Sequence, residues 1–204
     1  MPDSGSATTL DRLLASAVEL FAQFGYHGVS TRDIARKAEI NEVTVYRHYA
    51  NKRELFIAAV ESELAKVRIR PELLTKLAAA RDPQSAVRAV FLLIADAVHA
   101  QPQLVRLLNF SAMEFGSALE PLYRKHLEGL LTIAASYLEP WTERGYLSAV
   151  DTRTIVLAFA ATMVCVQCFY PVFATDNPFS PTEETASMFA KIWHTALANH
   201  GVPS

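Results

Sequence analysis

The 204-residue sequence predicts an all-α protein of about nine helices, and three observations carry that prediction. Apolar residues recur at i, i+3, i+4 and i+7 along most of the chain, the spacing of one buried helical stripe. Helix-start signatures repeat, with Ser, Thr, Asp or Asn followed by an acid three residues later or by proline at the first helical position. No apolar–polar alternation bounded by hairpin turns is present, nor any internal repeat or low-complexity tract. The helices group into a flexible tail (1–8), an N-terminal three-helix domain (9–56) and a larger helical domain (57–204).

The first helix spans about Thr9 to Phe24. Leu10, Leu13, Leu14, Ala17, Val18, Phe21 and Phe24 form its stripe, Thr8 with Asp11 caps its start and Gly25 closes it. Gly28 lets the chain turn. Ser30 with Asp33 starts a helix at Thr31–Ala38, Asn41 caps one from Glu42 to about Tyr49, and Asn51 with Glu54 starts a fourth. Ile34, Ala35 and Ala38 face inward on the second helix, and Val45 and Tyr49 on the third. The fourth is expected to run to Arg70 and to stop at Pro71. Asp82-Pro83 opens a helix to about Ala100, with Val87, Val90, Phe91, Ile94 and Val98 inward. Another runs from Pro102 to Phe115. Ser117 with Glu120 starts a long segment to Arg144, Asp151 opens a helix to Phe169 or beyond, and Ser180-Pro181-Thr182-Glu183 starts the last one, which ends at His200-Gly201.

Residues 30–56 organise the rest. Two helices this short are marginal alone and must lean on a third. Joined by a three-residue turn, they read as a helix-turn-helix, whose second helix enters the DNA major groove. The window holds six basic side chains (Arg32, Arg36, Lys37, Arg47, Lys52, Arg53) against four acidic ones. That modest positive patch suits a small module with few phosphate contacts, since the whole chain has a net charge of −2. Glu42, Val43, Thr44, Tyr46, Arg47 and His48 would be the exposed side chains of the recognition helix. Arg can grip guanine or a phosphate, Glu can accept from cytosine N4, and Val43 can meet a thymine methyl. Thr44, Tyr46 and Lys52 have the reach and the donors for phosphate, which positions without reading sequence.

The words LLASAVELFAQFGYHGVS, TRDIARKA and TVYRHYANKRELF, in this order between Leu13 and Val60, resemble the DNA-binding domain of TetR-family transcriptional regulators. The resemblance covers about fifty residues; beyond them only length and helical character agree. It implies DNA contact by Thr31, Arg32, Thr44, Tyr46, His48 and Lys52, dimerisation through the last two helices, and a cavity for a small, often apolar effector. It therefore implies a homodimeric cytoplasmic repressor, released from an inverted-repeat operator by that effector, with no enzymatic activity, cofactor, metal or membrane association. A regulator answering to a partner protein instead of an effector, or an unrelated helical enzyme, are the alternatives. Two departures stand out. Glu39 occupies the turn position where the family usually has Gly, at a cost of about 1 kcal/mol if the turn visits positive φ. Val43 stands where the family has a small residue, next to Glu42 at the place of a frequent Lys.

The other chemistry-bearing residues are few. Cys165-Val-Gln-Cys168 lacks a second ligand pair for a metal and a βαβ context for redox chemistry, so two buried thiols are expected. The six histidines show no metal-site spacing, and no Gly-rich phosphate loop exists. Two cysteines in all fit a reducing compartment, and MPDSGSATT lacks the layout of a signal peptide. Ile155–Ala174 carries no charge over twenty residues, but Thr162, Gln167, Pro171 and the missing basic flank point to a helix buried in a core or subunit interface rather than a membrane span. Phe91, Asn109, Phe110, Met113, Tyr123, Phe159, Met163 and Gln167 are the candidate effector contacts. Asn109 and Gln167 are either orienting groups or satisfied core amides.

Overall fold

The structure, a computed structural model, describes residues 8–148, 151–173 and 183–198. Among them are eleven α-helices: α1 (Thr9–Phe24), α2 (Thr31–Lys37), α3 (Glu42–His48), α4 (Lys52–Leu64), α5 (Pro71–Ala78), α6 (Pro83–His99), α7 (Pro102–Phe115), α8 (Glu120–Ser136), α9 (Glu139–Glu143), α10 (Thr152–Phe173) and α11 (Glu183–Leu197). A single 3-10 turn covers Gly116–Leu119, and the described residues contain no β-strand, only an isolated antiparallel bridge between Leu147 and Ala198. None of the described helices is long and apolar enough to cross a membrane.

The caps decide the first four helices. Asp11 and Thr8, and likewise Asp33 and Ser30, satisfy each other's backbone N–H groups reciprocally. Asn41 Oδ1 accepts from Val43 N–H at 2.8 Å, and Asn51 Oδ1 from Glu54 N–H at 2.9 Å. Further along, three boundaries depart from expectation. Helix α4 stops at Leu64, and Pro71 begins α5 instead of ending α4. Proline is at home in the first turn of a helix and forces the residue before it into extended backbone, here Arg70 at φ −72° and ψ 130°. The 3-10 turn replaces the cap expected at Ser117. The expected long helix after Glu120 breaks at Tyr137–Leu138, where Pro140 sits in the first turn of α9. The start expected for the last helix at Ser180–Thr182, and its end at His200-Gly201, lie outside the described residues.

The chain forms two compact units. Of the described residues, the first takes 8–66 and 103–123, the second 67–102, 124–148, 151–173 and 183–198. Sequence reasoning drew the boundary after residue 56. The whole of α4 stays with the first unit, and nearly all of α7 joins it.

In the first unit Leu13, Ala17, Val18, Phe21, Ile34, Ala35, Val45, Leu55, Phe56 and Val60 are buried. Leu10 and Phe24, counted in the α1 stripe, are exposed, because they lie at the two ends of the helix beyond its packed middle. Phe21 meets Phe56 edge-on at 5.0 Å between ring centroids, and Tyr26, Phe56 and Phe115 of α7 complete the cluster at 5.0–5.4 Å. Such aromatic contacts add about 0.5–1.5 kcal/mol each beyond their buried area.

The second unit is built on α6, whose Val87, Val90, Phe91, Leu93 and Ile94 are all buried. Phe91 stacks on Phe189 of α11 at 4.9 Å, and Phe159 of α10 meets Trp193 of α11 edge-on at 4.6 Å. Arg70 fixes the entrance to α5 through a two-pronged pair with Asp96 of α6.

Candidate nucleic-acid interface

The helix-turn-helix stands on a turn whose backbone leaves little choice. Ile40 N–H donates to Ala35 O at 3.0 Å and Glu39 N–H to Arg36 O at 3.2 Å, which is the Schellman closure of α2. That closure needs a left-handed residue just past the helix end, and Glu39 takes it at φ +56°. The turn thus has the shape a glycine would give it, with the strain that Glu brings. Upstream, Gly28 lies so close to the end of α1 that a Cβ there would sit 2.3 Å from the Phe24 carbonyl oxygen. Lys37 pairs with Glu19 at 2.8 Å and ties α2 to α1.

On α3, Val45 is the buried anchor, while Val43, Tyr46, Arg47 and His48 project outward and Thr44 is half-buried. Tyr49, expected inward, is half-buried, and burial pushes its phenol pKa up. Two of the predicted contact residues, one buried and one exposed, are engaged by Glu42. Thr31 is buried, and its hydroxyl donates to Glu42 Oε1 at 2.8 Å and lies 3.1 Å from the Tyr46 hydroxyl. Arg32, with an 81% exposed side chain, reaches Glu42 Oε2 at 3.5 Å. Glu42 is therefore turned back onto α2.

Lys52, the first residue of α4, is half-buried with its ammonium 4.4 Å from the Tyr26 ring centroid. Burial draws its pKa down, and the Glu114 carboxylate acts in the opposite direction. Glu114 also accepts from His27 Nε2 at 2.8 Å, and the Arg53 guanidinium lies 5.3 Å from the centre of the Phe115 ring. Glu114 and Phe115 thus reach the start of α4 from α7. Sequence reasoning missed them, along with Tyr26 and His27, since 87 positions separate His27 from Glu114 and no local pattern links them.

The eight effector candidates fall into both units. Phe91, Phe159 and Met163 are buried core side chains of the second unit, where Gln167 is half-buried. Asn109, Phe110 and Tyr123 are half-buried in the first unit. There Asn109 donates to Val105 O, Phe110 packs on Gly25 and Tyr123 shares a hydrogen bond with Ser111. Met113 is 88% exposed, against its expected place in an apolar interior. It stands two positions from buried Ser111, about 200° round the helix, and so points away from the packed stripe. Cys165 is exposed rather than buried, and the side chain of Cys168 lies outside the described residues. Among the described residues no group of His, Cys, Asp and Glu is arranged to hold a metal ion.

Comparisons with known proteins agree with this geometry. Residues 13–59 match the family model of bacterial regulatory proteins, tetR family. The chain is 26% identical to the HTH-type transcriptional repressor NicS of Pseudomonas putida over 167 residues, 79% of this chain and 74% of that protein. It is 32% identical to the HTH-type transcriptional repressor SCO4008 of Streptomyces coelicolor over 113 residues, 55% of this chain and 54% of that one. A crystal structure of a regulatory protein of the tetR family from Rhodococcus RHA1 superposes with a TM-score of 0.69 at 16% identity, covering 95% of this chain and 99% of the other. The fatty acid degradation regulator FadR from Bacillus halodurans gives 0.62 at 17% identity over 92% and 96%.

Proposed function

We propose that the chain, whose residues 13–59 match the tetR family model, is a TetR-type DNA-binding regulator and acts as a homodimeric cytoplasmic repressor released from an inverted-repeat operator by a small apolar effector. The observation that carries the reading is the outward face of α3. Val43 and Tyr46 are 60% and 52% exposed over a Val45 that is 1% exposed, so the second helix of the helix-turn-helix is anchored from behind and presents its outer side chains as a recognition helix must. Arg47 and Val43 supply base contacts, and Thr31, Thr44, Tyr46, His48 and Lys52 supply phosphate contacts.

Two copies place two recognition helices on adjacent major-groove half-sites, about 34–36 Å apart. The dimer is formed by α10 and α11, whose Leu157, Ala161 and Cys165, and Met188, Ile192 and Ala196, are exposed at helical spacing. Phe189 and Trp193 of α11 turn inward onto Phe91 and Phe159 and take no part in that face. The effector binds among the apolar side chains of the second unit and shifts the population towards a half-site spacing that no longer fits the operator.

Selection of bound duplexes from a random pool tests the reading. An inverted repeat is the expected product, and Arg47→Ala and Tyr46→Ala should each lose its binding while keeping helical circular dichroism. A pool that yields no enriched sequence overturns the proposal. Sedimentation of a Leu157→Glu, Ile192→Glu double variant should show a monomer, and melting in the presence of small apolar compounds should reveal the effector class.

A further inference from the structure

The contacts around Glu42 go beyond a surface poised for DNA. A threonine hydroxyl has one proton, and Thr31 gives its proton to Glu42 Oε1 at 2.8 Å. The Tyr46 hydroxyl, 3.1 Å from Thr31 Oγ1, must then donate to that oxygen. The two protons run in one direction, from Tyr46 through Thr31 to the carboxylate. Arg32 Nε approaches the other carboxylate oxygen at 3.5 Å. Two groups with donors suited to a phosphate oxygen, Thr31 and Arg32, therefore converge on one anion, with Tyr46 behind Thr31, and that anion belongs to the chain itself.

We propose that the Glu42 carboxylate is an internal stand-in for a DNA backbone phosphate, holding the donors of Thr31 and Arg32, and Tyr46 through Thr31, until the nucleic acid displaces it. The inference rests on the DNA-binding reading of α2 and α3 and assigns Glu42 a role opposite to base recognition. Displacement exchanges one charge-assisted hydrogen bond for another, so the donors contribute less net affinity than they would without Glu42. The carboxylate also repels the incoming phosphate. Both effects lower affinity for every sequence alike, since a phosphate carries no base information. Glu42 thus sets how weakly the chain holds non-operator DNA.

The test measures Glu42→Gln and Glu42→Ala, with and without Thr31→Val, against a random-sequence duplex and the duplex selected from a random pool, at several salt concentrations. Glu42→Gln keeps an acceptor for Thr31 and removes the charge. It should tighten both duplexes by a similar factor, about three- to tenfold, with a salt slope steeper by about 0.9 as Arg32 gains a phosphate. Thr31→Val should cost at least about threefold more in the Glu42→Ala background than in the parent, because only there is the hydroxyl free before binding. Loss confined to the selected duplex would show that Glu42 reads a base, and equal weakening of both would show that it merely positions α3. Either result, or unchanged affinities, overturns the proposal. A parent chain that bound neither duplex would instead overturn the DNA-binding reading itself.

Discussion

Glu39 offers a direct measure of what the turn costs. At φ +56° its Cβ crowds the backbone, at about 1–2 kcal/mol for a non-glycine residue. Glycine at this position removes that strain, but a freer unfolded chain takes back about 0.5–1 kcal/mol. The Schellman hydrogen bonds from Glu39 and Ile40 are backbone bonds and survive the change. Glu39→Gly should therefore stabilise the protein by about 0.5–1 kcal/mol, which for a chain of this size raises Tm by roughly 1–4 °C. Glu39 also follows the C-terminus of α2, where a negative charge is unfavourable by about 0.3–1 kcal/mol. Glu39→Ala is the control, since it removes the charge and keeps the Cβ. Thermal unfolding of the three chains, followed by circular dichroism, should rank Gly above Ala. An alanine variant as stable as the glycine one would refute the backbone argument and assign the whole effect to charge.

Gly28→Ala should go the other way, losing about 1–3 kcal/mol in denaturant unfolding, because a Cβ 2.3 Å from the Phe24 carbonyl oxygen can be relieved only by moving backbone. Lys52→Ala should weaken cognate and scrambled duplexes by a similar factor and make the log–log salt slope shallower by about one, as loss of a single phosphate contact requires. A loss restricted to the cognate duplex would contradict its positioning role. The acid limb of stability should also be traceable to the caps. Hydrogen bonds from Thr8 to Asp11, from Ser30 to Asp33 and from Thr154 to Asp151 hold those carboxyls below their ordinary value of 3.8. A depressed folded-state pKa contributes stability above 3.8 that is lost as pH falls through the lower folded value. Asp33→Asn should flatten the dependence of Tm on pH below about 4, and an unaltered profile would show that this cap does not contribute.

What the sequence determined was local. Caps couple residues two or three apart, so Thr8 with Asp11, Ser30 with Asp33, and Asn41 and Asn51 placed the starts of α1–α4 without knowledge of the fold. Helical spacing placed Val45 inward and Val43 and Tyr46 outward for the same reason. Proline was ambiguous, because its ring both ends one helix and suits the first turn of the next, so Pro71 was read as a stop when it is a start. Tertiary structure alone decided which helices share a core. An amphipathic stripe records that a face is buried but not against what, and so α7 was assigned to the C-terminal part although its Phe115 packs on Tyr26 and Phe56. It also decided the state of the candidate contact groups on α2 and α3. Thr31 and Glu42 lie eleven residues apart on different helices, and only the crossing of α2 and α3 brings the hydroxyl to 2.8 Å from the carboxylate. A side chain that the sequence offers as a reader of bases becomes, once folded, the partner of its own neighbours, because hydrogen-bond donors take the nearest acceptor that the packing supplies.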